Sequence, residues 1–133
     1  MKAISIREPY ASLIAEGRKK LETRGRWPYK YRGDILIHAS VKIWEPGSEK
    51  TAELMGDLEG GIHPGCIVAR ARLVDVVEMT PDFIREISLH DPEEFKAGFY
   101  EEGRVALVLE DVEPIDPIPA KGCLGIWEWK GEK

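Results

Sequence analysis

The apolar positions of the chain fall into short, mostly β-branched runs divided by Gly- and Pro-marked breaks. Ala3-Ile4-Ser5-Ile6 reads as a strand. Glu8-Pro9-Tyr10 then opens a helical segment, Ala11 to Glu16, because proline suits a first helical turn and Glu8 lies near the positive end of the dipole. The free N–H groups of that turn either seat an anion beside Arg7 or are capped in the ordinary way. Gly17 can take the left-handed conformation that ends a helix. Lys20 to Arg24 reads as a short strand and Asp34 to Ser40 as a buried one. Residues 45–60 read as a Gly-interrupted helix with Pro46 early. Cys66 to Val77 reads as a long strand alternating around Arg70 and Arg72. Thr80 and Asp91, each before a proline, predict N-caps for helices reaching about Ile87 and covering 92–97. Arg104 to Val112 reads as a strand, while Pro114, Pro117 and Pro119 predict an extended stretch poorly fitted to the middle of a ladder. Cys123 to Trp129 closes the series, with Trp127 and Trp129 sharing a face. The spacing has no βαβ rhythm, so the expected fold is α+β, a compact mixed β-barrel of about six strands with short helices around it.

Composition narrows the class. The 133 residues, 43% hydrophobic and 32% charged, suit one globular domain spanning 1–133 and not a disordered chain. No apolar run approaches the ~20 residues of a membrane span, and no signal-peptide core is visible, so the expectation is a cytoplasmic protein with no membrane partner. Cys66 and Cys123 lack metal-ligand spacing and read as two buried thiols; no metal or cofactor is expected. The net charge of −5 argues against a sequence-blind nucleic-acid binder. Yet residues 1–33 hold nine Lys or Arg against three Glu, a balance of +6, which leaves −11 on the remainder. A locally positive first third can still draw an anionic ligand.

Chemistry concentrates at Gly17-Arg18-Lys19-Lys20-Leu21-Glu22-Thr23-Arg24. On a strand Lys20, Glu22 and Arg24 share one face, neighbours roughly 6–7 Å apart, with Lys19 in the turn beside them. Such a row is either a bracing ion-pair ladder or the lining of a cleft for an anionic or polar ligand. Arg26-Trp27-Pro28-Tyr29-Lys30-Tyr31-Arg32 follows, where aromatics between cations offer stacking faces and phosphate contacts or else anchor a loop. His38, near a strand end, reads as a hydrogen-bonded core histidine or a ligand contact.

These residues resemble the ASCH domain family of the PUA-like superfamily. Gly17, Lys19, Glu22 and Arg24 match its Gly-x-Lys-x-x-Glu-x-Arg signature. Ser5 to Leu13 resembles the family's opening segment, with Glu-Pro-Tyr where Gln-Pro-Trp is usual. Tyr31 to Ser40, Gly65 to Val76, and Pro119 through Trp127 resemble its later strands, in order. The resemblance implies a pseudobarrel whose cleft is lined by the signature Lys, Glu and Arg, with RNA or another nucleic-acid-derived ligand as the usual occupant. Some ASCH relatives are amidohydrolases acting on N4-acetylcytidine, with a nucleophilic Thr where this chain has Glu22. A carboxylate cannot replace a hydroxyl in that acyl transfer, because it would form an anhydride. Thr23 is expected on the opposite face, so that activity is not carried over.

Three functions follow. The first is a binding module for RNA, another single-stranded nucleic acid or a nucleotide, built from Arg7, Pro9, Tyr10, Lys19, Lys20, Glu22, Arg24, Trp27, His38 and Ser40. In it Lys19 and Arg24 contact phosphate, Glu22 orients them or accepts from a base amine, and Tyr10 and Trp27 stack. The second is a hydrolase of a modified nucleoside or RNA, with Glu22 as general base and Lys19 or Arg24 stabilising developing charge; two adjacent cations oppose it by lowering the base's pKa. The third is a protein-interaction or regulatory domain. A monomer is expected.

Overall fold

The computed structural model describes residues 1–131. Ten elements run β1 (Lys2–Glu8), α1 (Tyr10–Ala15), β2 (Leu21–Arg24), β3 (Gly33–Ile43), α2 (Glu49–Gly56), β4 (Cys66–Glu78), α3 (Pro81–His90), α4 (Pro92–Lys96), β5 (Val105–Pro119) and β6 (Ile126–Glu128). The strands form one six-stranded sheet in the order β2-β5-β4-β3-β1-β6. Among the described residues only β1 and β3 pair in parallel, with Ser5 opposite His38. No helix among the described residues is long and apolar enough to cross a membrane.

Alternation within the strands sends Ile4, Ile6, Ile35, Ile37, Ala39, Ala69, Ala71, Leu73, Leu107 and Leu109 into the main core, closed by Ala11 and Ile14 of α1. Ala3, Leu36 and Ile67 point to the other face, where Trp127 and Trp129 cover them together with Ile115, Ile118 and Ala120. Burial on both faces explains why β1 and β3 read as near-continuous apolar runs. Helix α1 ends as the glycine predicted. Gly17 lies at φ +79, its N–H donates to the Ile14 carbonyl and the Arg18 N–H to Leu13, which is the paired-bond pattern of a Schellman turn. Thr80 and Asp91 accept from the N–H groups of Phe83 and Glu94, as the caps of α3 and α4.

Three expectations need correction. The six strands form an open sheet, not a closed barrel. The edge strands β2 and β6 are four and three residues long, and β6 covers β1 only at Lys2, Ala3 and Ile4. The edge of β1 beyond that point is met by a side chain instead, Arg24 Nη2 donating to the Ser5 carbonyl at 2.9 Å. The strand read as ending at Val112 runs on, since β5 pairs with β4 as far as Pro119. Only Val105 to Val108 are flanked by β2, so the prolines occupy an edge, and a register shift absorbs residues 115–117. Finally, the thiols are not both buried: Cys66 is half-buried and Cys123 exposed.

Candidate functional site

The unclosed seam between β2 and the free edge of β1 opens into a cleft of about 710 Å³. Turn and strand geometry place its first wall. The Schellman turn at Gly17 sends Lys19 inward, where it is 1% exposed and its Nζ donates to Glu94 Oε2 of α4 at 3.0 Å. Glu94 Oε1 accepts the Lys20 N–H at 2.6 Å, tying α4 to the approach of β2. Glu22 is buried, and its Oε2 accepts from Arg24 Nε at 2.9 Å. The Arg24 guanidinium also lies over the Trp27 ring, 5.6 Å from its centroid.

The facing wall comes from β1, the end of β3, and the loop 120–125. Arg7, Ser40, Lys42, Trp44, Lys121, Cys123 and Leu124 line it. An aromatic row crosses the cleft, with Tyr10 against Trp44 at 6.4 Å and Trp44 edge-on to Phe99 at 6.0 Å. Cations lie on these rings: Lys19 on Tyr10, Arg7 on Trp44 and Arg104 on Phe99, each 5.2–5.8 Å from the centroid. Burial, then the charges of Glu45 and Glu22, push the Tyr10 phenol up to about 12, so Tyr10 is neutral at ordinary pH and presents its ring without negative charge.

Of the residues singled out in the sequence, Arg7, Tyr10, Lys19, Glu22, Arg24, His38 and Ser40 line the cleft. Pro9, Lys20 and Trp27 do not. Pro9 is buried at the start of α1. The ladder begins only at Leu21, so Lys20 lies ahead of the strand alternation, and its side chain is exposed. Trp27 packs on the main core beside Tyr29 and supports Arg24 from below. Thr23 touches the cleft edge, but its Oγ1 is occupied by the Phe99 N–H. The anion seat at the start of α1 is filled by the chain itself, because the buried Glu8 carboxylate accepts from Ser12 N–H, Ser12 Oγ and His63 N–H at 2.6–2.9 Å.

Glu94, Trp44, Phe99, Arg104 and Lys121 escaped the sequence reading. Glu94 sits where a capping box places its acidic partner, which is its ordinary reading; nothing local announces the ion pair with Lys19, 75 residues away. The aromatic and cationic row is assembled only by topology.

One family model, the ASCH domain, matches residues 4–119. The chain belongs to the ASCH domain family. Its fold is similar to the crystal structure of an ASCH protein from Zymomonas mobilis, at 20% identity and a TM-score of 0.54, covering 89% of this chain and 72% of that one. Two single-residue variants of the same bacterial protein are similar at 21% identity and a TM-score of 0.53, over 89% of this chain and 74% and 72% of theirs. Such identities speak for the fold alone. No curated protein matches the chain in sequence. Within this ASCH domain the charges divide sharply. Six cationic side chains (Arg7, Lys19, Arg24, Lys42, Arg104, Lys121) and one carboxylate, Glu22, line the cleft of a chain whose net charge is −5.

Proposed function

We propose that this ASCH domain binds single-stranded RNA or another single-stranded nucleic-acid segment, one nucleotide of which enters the cleft. The observation that carries the reading is the concentration of cations around an aromatic row on an otherwise acidic protein. Phosphates are attracted by Arg7, Lys42 and Lys121, which are exposed and have no ion-pair partner among the described residues. A base stacks on Tyr10, Trp44 or Phe99, worth about 1–3 kcal/mol per base in such sites. Glu22 keeps one carboxylate oxygen without a protein partner among the described residues, available to an exocyclic amine of the base. Lys19 and Arg24 set the field and hold the wall, since Glu94, Glu22 and the Ser5 carbonyl already engage their donors.

The hydrolase reading with Glu22 as base is weaker, because Arg24 already engages that carboxylate in an ion pair. The test is an NMR and thermal-shift titration with nucleosides, nucleotides and short single-stranded RNA and DNA. Saturable shifts at Arg7, Tyr10, Trp44 and Lys121 are expected, weakening as salt rises. A flat salt response, or silence with every ligand, overturns the reading and leaves a protein-interaction role.

A further inference from the structure

Beside the signature wall, the cleft holds a second constellation that the binding reading leaves unused. Ser5 Oγ lies 2.9 Å from His38 Nδ1, and both residues line the cleft. The other ring nitrogen, Nε2, is 2.8 Å from the Ala120 carbonyl oxygen. A carbonyl can only accept, so Nε2 carries a proton, and in the neutral ring Nδ1 is then the acceptor. The indole Nε1–H of Trp127, itself only a donor, reaches Ser5 Oγ at 3.1 Å. Every direction in the chain is thereby fixed: Trp127 donates to Ser5, Ser5 donates to His38 Nδ1, and His38 Nε2 donates to Ala120. A hydroxyl committed to a neutral imidazole, whose far nitrogen is oriented by a third group, is the arrangement that activates a serine nucleophile.

Two further features shape the surroundings of the pair. Gly122 lies directly over the pair, and a Cβ there would fall 2.6 Å from the His38 ring and collide with Ser5 Oγ. Ser5 itself is only half-buried. On the same loop and on β3 the rim carries Leu124, 97% exposed, and Val41, 75% exposed, apolar side chains held beside Lys121 and Lys42 in the cleft lining.

We propose that Ser5 and His38 form a nucleophile–base pair that cleaves a carboxylic ester, its acyl part against Leu124 and Val41 and its alcohol part anionic. Ser5 Oγ bonds to the acyl carbon as its proton passes to His38 Nδ1. The ester C–O bond breaks, and the alcohol oxygen leaves with the proton from Nδ1. Water then attacks the acyl-serine, giving one proton to Nδ1, and the carboxylic acid departs as Ser5 Oγ recovers that proton. Nε2 keeps its proton throughout, donated to the Ala120 carbonyl, which steadies the imidazolium. Trp127 is a positioning residue that fixes the Oγ orientation.

The test does not depend on nucleic-acid binding, so its failure and that of the binding reading are distinguishable. The full chain is treated with a fluorophosphonate in one sample and with p-nitrophenyl acetate in another. A single adduct mapping to Ser5, with a burst of p-nitrophenol, is expected. Both are lost in Ser5→Ala and His38→Gln, and Gly122→Ala labels at least tenfold more slowly. Mapping on the unaltered chain needs no variant to fold. No adduct, or an adduct on another residue such as Cys123 or Tyr10, overturns the proposal.

Discussion

The two walls of the cleft carry the same kind of side chain and put it to different use. On the wall of β2 and α4, each charge has a partner: Lys19 with Glu94, Glu22 with Arg24, and Arg24 again with the Ser5 carbonyl. On the wall of β1, β3 and loop 120–125, Arg7, Lys42 and Lys121 are exposed and have no ion-pair partner among the described residues. A charge taken out of water needs a partner to offset lost hydration, whereas a solvated charge keeps its capacity for a ligand. The signature that marks the family in the sequence thus contributes mainly the frame and field of the cleft. On the proposed reading, the attraction that a ligand feels on approach comes from Arg7, Lys42 and Lys121, which lie outside that signature.

The largest expected effect tests the frame. In Glu94→Ala the Lys19 ammonium stays buried without its carboxylate, and stability falls by about 3–5 kcal/mol, the usual consequence of breaking a buried pair. Urea unfolding measures it, and a loss under about 1 kcal/mol would dissolve the contrast between the walls. Gly17→Ala comes next. A Cβ at Gly17 meets nothing within 4 Å, so the cost is that of the left-handed backbone alone, about 1–2 kcal/mol. A larger loss would mean that the turn fails to deliver Lys19 to Glu94.

The open wall should answer in the opposite sense. Arg7→Ala, Lys42→Ala and Lys121→Ala each leave stability within about 0.5 kcal/mol. Each nonetheless weakens binding of single-stranded RNA and lowers the slope of log affinity against log salt by about 0.7–1 where it meets a phosphate. A variant that unfolds the protein, or that leaves the slope untouched, places that cation in the frame instead.

This division also explains what the sequence could disclose. Local patterns carried local facts: β-branched runs gave β1, β3 and β4, Gly17 gave its turn, and Thr80-Pro81 and Asp91-Pro92 gave the caps of α3 and α4. The signature placed Lys19, Glu22 and Arg24 on one wall through turn and strand geometry alone. Long-range facts were hidden. Whether the sheet closes depends on how far β6 follows β1, and β6 begins only at Ile126, opposite Ile4. The run of β5 past Val112 was missed because edge position, where prolines can pair, is a property of the whole sheet. Trp44, Phe99 and Lys121 come from three separate segments and meet only after folding. Ser5 looked like an ordinary strand residue until its parallel register set it against His38.

The smallest effect concerns Tyr10, which belongs to both walls, lying beneath Lys19 on one side and against Trp44 on the other. Burial, Glu45 and Glu22 push its phenol up to about 12, while a tyrosine in the unfolded chain ionises near 10. Below that value both states hold the proton, and the contribution to stability is intact. Above it the unfolded chain releases the proton while the folded chain keeps it, so stability declines as pH rises from about 10 to about 12. Burial, with Glu94, Asp91 and Glu22, raises Tyr100 in the same direction, so the wild-type decline is a sum of two residues. Tyr10→Phe should therefore make the alkaline decline shallower without abolishing it, and Tyr10→Phe/Tyr100→Phe should remove most of it, read from urea midpoints at pH 9, 10, 11 and 12. Solvent in the cleft screens Tyr10, which keeps its share modest. If the single variant declines as steeply as wild type, Tyr10 ionises in the folded chain as it does in the unfolded one, and neither its burial nor the charges of Glu45 and Glu22 act on its phenol.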